Sequence, residues 1–112
     1  MQTKYKLPSD VRLAVYSFVK GQTRRELAFD EGRETKADKK IMEAVQQALN
    51  ETGEDICNVD LQEKLQQGIW LSIIDRKKYT YRYLNLSGIS RKKFYEYRNI
   101  FIYNVAKNMD YI

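Results

Sequence analysis

Apolar residues recur at intervals of three and four through most of the chain, the spacing that lines one face of an α-helix. The pattern opens with Val11, Val15 and Phe18, behind Pro8 and Ser9. Proline suits a first helical turn, and Ser9 or Asp10 can accept a backbone amide there, so a helix is predicted from that point. Leu13 and Tyr16 widen its apolar stripe, and Gly21 weakens its middle. The following stretch, TRRELAFDEGRETKADKK, is polar apart from Leu27 and Phe29. It predicts a helix that continues or restarts, then a surface connection around Gly32, with its charges in solvent. A second helix is predicted from Ala37 to Asn50, burying Ile41, Val45, Ala48 and Leu49. NETGED ends it, because Gly53 can take the left-handed conformation that closes a helix.

A third helix is predicted from Asp60, which with Glu63 has the spacing of a capping box. Leu61, Leu65, Ile69, Trp70 and Ile73 form its apolar face, with Trp70 placed in the core. Between Lys77 and Leu86 the sequence KKYTYRYLNL alternates Tyr79, Tyr81 and Tyr83 with polar residues, as a strand would. A lone strand has no partner, since nothing else reads as β, so a short helix or an irregular turn is predicted. The last helix starts at Ser90, whose hydroxyl can cap it. Ile89 and Phe94 flank that cap at the spacing of a hydrophobic staple. At about 100° per residue, Phe94, Phe101 and Val105 fall on one line, with Tyr97, Ile102 and Met109 at its margins. Lys92, Tyr95, Glu96, Asn99 and Tyr103 face the other way, and Arg91 projects from the first turn. The expected fold is all-α: one domain over residues 1–112, a bundle of about four helices without a sheet. Its last part, from about residue 60, ends in a helix-turn-helix-like pair.

Composition narrows the function. The 112 residues hold one core, and an apolar fraction of 43% is too high for a disordered chain. No apolar run approaches the roughly 20 residues that span a bilayer, and MQTKYKLPSD lacks a signal core. Cys57 is the only cysteine. It predicts a reduced, cytoplasmic setting. The chain contains no histidine, which removes the commonest general base and the commonest metal ligand. It carries neither a GxxxxGK[ST] loop nor a GxGxxG turn. Glu43, Glu51, Glu54 and Asp55 sit in polar, solvated surroundings, not the setting that acid–base chemistry needs. No enzymatic activity, metal or cofactor is expected.

Charge supplies the positive signal. From Arg76 to Arg98 eight basic residues face Glu96 alone, so this segment carries +7 of a net +5 and the remainder sums to −2. Tyr79, Tyr81, Tyr83, Tyr95, Tyr97 and Tyr103 fall within or beside it. Basic side chains displace counterions from phosphates, and with interleaved aromatics they form the footprint of a nucleic-acid binder. A capped helix after the short turn NLSG, cationic at its N-terminus, has the layout of a recognition helix. Arg91, Lys92, Tyr95, Glu96 and Asn99 are then expected at the bases, and Lys77, Lys78, Arg82, Lys93 and Arg98 at phosphates, with Ser90 at the head of the helix.

The serine-led turn followed by FYEYRNIFIYNVAKNMDYI also resembles the C-terminal end of the phage-encoded RinA and ArpU groups of transcriptional regulators. The resembling positions are Ser90, Phe94, Tyr95, Tyr97, Arg98, Phe101, Ile102, Val105 and Ala106, and GIWLSIIDRKKY, from Gly68 to Tyr79, is a looser echo of small phage proteins. The resemblance covers at most about 45 residues, in the C-terminal part. It implies a helix-turn-helix similar to the fourth region of sigma factors, control of late phage genes and double-stranded DNA as partner, with a dimer as one oligomeric option. The principal rival is a protein-interaction module that docks on RNA polymerase or on a phage packaging or assembly protein through its tyrosines. RNA binding, with stacking on Tyr79, Tyr81 or Tyr83, is the third reading.

Overall fold

Pro8 sets the start of the first helix. In the computed structural model, which describes residues 6–74 and 88–112, its carbonyl receives the Arg12 amide at 3.0 Å and α1 runs Ser9–Lys20. No side chain caps this helix; Ser9 and Asp10 are already inside it, so neither serves as the expected cap. At Gly21 the helix breaks, and α2 resumes at once over Gln22–Asp30. Gly21 keeps a right-handed backbone (φ −84°, ψ 0°), so positive φ is not what calls for glycine here. A Cβ at this position would lie 2.8 Å from Nη2 of Arg25, so the missing side chain is what lets the guanidinium in.

Thr35 and Asp38 close a capping box at the head of α3 (Lys36–Glu51), with bonds of 3.0 and 3.4 Å. This cap was not anticipated. Gly53 is left-handed (φ 81°), as expected for the residue that turns the chain away from α3. The connection is then stitched to the next helix by amides: Gln62 Nε2 donates to the Gly53 carbonyl at 3.0 Å and Gln66 Nε2 to that of Thr52 at 3.1 Å. α4 spans Val59–Ile74. Its cap is Asn58, whose Oδ1 accepts the Leu61 amide at 3.1 Å, and not Asp60, which lies inside the first turn. The last helix, α5, spans Arg91–Asn108.

Every regular element among the described residues is helical, so the all-α expectation holds, with five described helices because the first divides at Gly21. Residues 77–86, and the helix expected to pair with α5 ahead of Gly88, lie outside the described residues. α5 packs along α3 and also against α1 and α4, while α2 lies on α3. One hydrophobic cluster joins Val15 and Val19, Val45 and Ala48, Leu65, Ile69 and Ile73 to Phe94, Phe101, Ile102 and Val105. Leu13 is not part of it. Two residues turn a helix by about 200°, so Leu13 points away from Val15 and is 62% exposed. No helix of the described residues is long and apolar enough to cross a membrane.

Candidate nucleic-acid interface

The head of α5 is held from two sides. Gly88 is left-handed (φ 99°) and turns the chain. Ser90 then caps the helix, its Oγ accepting the Lys93 amide at 3.2 Å and its carbonyl the Phe94 amide at 2.9 Å. Ile89 and Phe94, the staple pair, are both buried in the main cluster. Phe101 and Val105 continue the buried line as the spacing predicts, and Tyr97 and Ile102 at its margins are buried as well. Tyr103, expected outside, is partly buried against the core.

Above this anchored face, Arg91, Lys92, Lys93 and Tyr95 are exposed. The Arg91 guanidinium lies 5.8 Å from the centre of the Tyr95 ring, and that ring meets Phe94 edge-on at 5.3 Å. Lys93 stands 5.5 Å from the Tyr97 ring and 3.8 Å from a Glu96 carboxylate oxygen. Thus Ser90, Arg91, Lys92, Lys93, Tyr95 and Glu96 share one helix end, with Asn99, partly buried, a turn further on. No acidic residue occupies the first turn. A helix N-terminus favours anions and disfavours cations by about 0.3–1 kcal/mol each. Three successive cations there oppose the helix dipole, offset only in part by the contacts of Arg91 with Tyr95 and of Lys93 with Tyr97 and Glu96.

Arg98 behaves differently. It lies seven residues after Arg91, hence on almost the same stripe, but at a level where α1 and α4 flank the helix. Its Nε donates to Ser72 Oγ at 2.9 Å, and its guanidinium lies 5.4 Å over the Tyr16 ring, with Nη1 3.5 Å from that phenol oxygen. Ser72 Oγ in turn donates to the Ile69 carbonyl at 2.6 Å. Arg98 is a tie between three helices, which withdraws it from the phosphate-facing group. Lys77, Lys78 and Arg82 lie outside the described residues.

Three further expectations change. Tyr97 Oη donates to Asp55 at 2.8 Å, so this carboxylate, exposed as expected, also anchors α5. Burial, and then the bond and charge of Asp55, push the Tyr97 phenol up to about 12. Within TRRELAFDEGRETKADKK, Arg25 is not in solvent but 5% exposed. Its Nη1 donates to the Phe18 carbonyl in the last turn of α1, and its Nε lies 3.9 Å from Asp38. Burial lowers its pKa first, with Arg24 adding and Asp38 opposing. Nothing in the spacing of this stretch singles out Arg25. Trp70, placed in the core by sequence, is only partly buried and forms the wall of a cleft between α3 and α4. Compared with protein-family models, with curated proteins and with solved structures, the chain gives no match in any of the three.

Proposed function

We propose that the chain is a non-enzymatic, cytoplasmic regulator of phage or prophage origin that binds double-stranded DNA through the first turns of α5. The observation that carries this reading is the run Arg91, Lys92, Lys93 at a capped helix N-terminus, with no acidic residue in its first turn. Those charges work against the helix dipole, an opposition that an approaching anion would relieve. The opposite face is locked into the core by Phe94 and Phe101, which makes the basic end a rigid platform. A major groove about 12 Å wide admits such a helix, N-terminus first. Arg91 and Lys92, with Tyr95, Glu96 and Asn99, then meet base edges, and Lys93 meets phosphate. Lys77, Lys78 and Arg82 join the phosphate set on their sequence position alone.

The test is fluorescence anisotropy with duplexes from the flanking genome, compared with random duplexes. Four phosphate contacts predict affinity falling about 150-fold between about 50 and 200 mM salt. Arg91→Ala should cost about 1–3 kcal/mol on the preferred site and much less on random DNA. Lys77→Ala with Lys78→Ala should weaken binding to every duplex about equally and flatten the salt slope. Unchanged DNA binding in both variants, with loss of a captured polymerase or phage protein, would replace this reading with the interaction module.

A further inference from the structure

A cleft runs across α2, α3 and α4, and no residue of α5 lines it. Its larger lobe, about 380 Å³, is bounded by Glu63, Gln66, Gln67 and Leu71, and the smaller, about 250 Å³, by Gln22, Glu26 and Gln46. Leu49 and Trp70 belong to both lobes and join them into one groove. Its volume is in the range that holds a side chain or a small ligand.

The chemistry of the walls is one-sided. Among the described residues that line it, the charged ones, Glu26 and Glu63, are both carboxylates. Gln46 Nε2 already donates to Asn50 at 2.9 Å and Gln66 Nε2 to the Thr52 carbonyl at 3.1 Å, so the fold takes up amide donors of the lining. Gln22 is 3% exposed, and its carbonyl Oε1 is buried without a donor among the described residues. Beside these acceptors stands the partly buried indole of Trp70, a surface that attracts a cation.

We propose that this groove is a docking site for a short basic segment of a partner protein, with an arginine guanidinium held between Trp70 and the Glu26 and Glu63 carboxylates. Guanidinium carries five donors and a flat face, which meets an acceptor-rich wall and an indole together. Leu71, at the rim, is 41% exposed, so the segment also carries an apolar residue next to its arginine. A free polyamine would leave that leucine uncovered. The site does not depend on the DNA-binding reading, because it shares no residue with the head of α5.

Trp70 is the only tryptophan in the chain, so its emission reports on this groove directly. Blocked tetrapeptides of two arginines and two leucines, the same with glutamate for arginine, and spermidine would be titrated against the intact protein. The arginine peptide should shift the emission saturably and the glutamate peptide should not. Glu26→Gln with Glu63→Gln should weaken the arginine peptide about tenfold. Both carboxylates are exposed, so the melting curve of that variant should match the parent's. Absence of saturation, equal affinity in the double variant, or spermidine binding as tightly as the peptide would each overturn the assignment.

Discussion

α5 and α2 sort their side chains in opposite senses. α5 buries Phe94, Tyr97 and Phe101 and leaves Arg91, Lys92 and Lys93 in solvent. α2 buries Gln22 and Arg25 with Ala28, and leaves Leu27 54% and Phe29 60% exposed. The difference follows from the apolar residues available. α5 repeats them over 18 residues at spacings of three and four, enough for a continuous stripe. α2 has nine residues, and Leu27, Ala28 and Phe29 are consecutive, so successive turns of about 100° send them to different sides. With no stripe to bury, the helix settles by what its neighbours lack. The Phe18 carbonyl at the end of α1 needs a donor and Asp38 at the start of α3 carries a charge, and Arg25 answers both. An arginine can thus be an interior residue when it closes the end of one helix and faces the head of another.

The most damaging way to break this comparison is on the α5 side. Phe101 is fully buried. Phe101→Ala should cost about 3–5 kcal/mol. Since a domain of this size has only about 5–15 kcal/mol in total, the variant should be partly unfolded at 37 °C by circular dichroism. A melting temperature within a few degrees of the parent's would mean that the two faces of α5 are inverted. Arg25→Met tests the α2 side. It keeps the apolar stem and removes the guanidinium, leaving the Phe18 carbonyl without its donor. A loss of about 1–3 kcal/mol in urea unfolding is expected. An unchanged or higher midpoint would show that apolar packing suffices there and that the polar account of α2 is wrong.

The same contrast governs what could be read from sequence. The inner face of α5, its serine cap and its staple were legible because they depend on residues within a turn or two of one another. The identity of the buried residues of α2 was not, since Arg25 is held by Phe18 and Asp38, partners in two other helices. Arg98 shows the limit within α5 itself. Spacing puts it on the stripe of Arg91, but only the positions of Tyr16 and Ser72 turn it inward. At the start of α4, Asn58 and Asp60 are both competent caps, and local chemistry alone does not choose between them. Gln22 carries no sequence signal of burial at all, so the groove it lines was invisible before the helices were assembled.

A smaller effect sharpens the comparison through pH. Tyr97 joins the buried face of α5 to Asp55, and its phenol titrates near 12 in the fold against an ordinary value of 10. The folded state therefore holds the proton more tightly than the unfolded chain. Its contribution is fully present below pH 10 and is lost as pH rises from 10 to about 12. Tyr97→Phe should cost about 0.5–1.5 kcal/mol at neutral pH. The gap between parent and variant, followed by urea unfolding, should close across that alkaline window. A constant gap would assign the loss to packing and not to the bond with Asp55.

The smallest change expected lies on the outer side of α2. Leu27 and Phe29 are large and apolar, and in α5 their counterparts carry the core. Here they stand in solvent, so Leu27→Ser and Phe29→Ser should each stay within about 0.5 kcal/mol of the parent in urea unfolding. Serine lowers helix propensity slightly relative to leucine, which accounts for the small loss expected at Leu27. If either variant instead lost several kcal/mol, α2 would have to be rotated with Leu27 or Phe29 inward. Arg25 would then leave the Phe18 carbonyl, and Gly21 would have no guanidinium to make room for. Gly21→Ala separates the two arrangements. With Arg25 inside, the new methyl collides with the guanidinium and destabilises the protein. With α2 rotated, alanine at a right-handed position would stabilise it by about 0.4–1 kcal/mol.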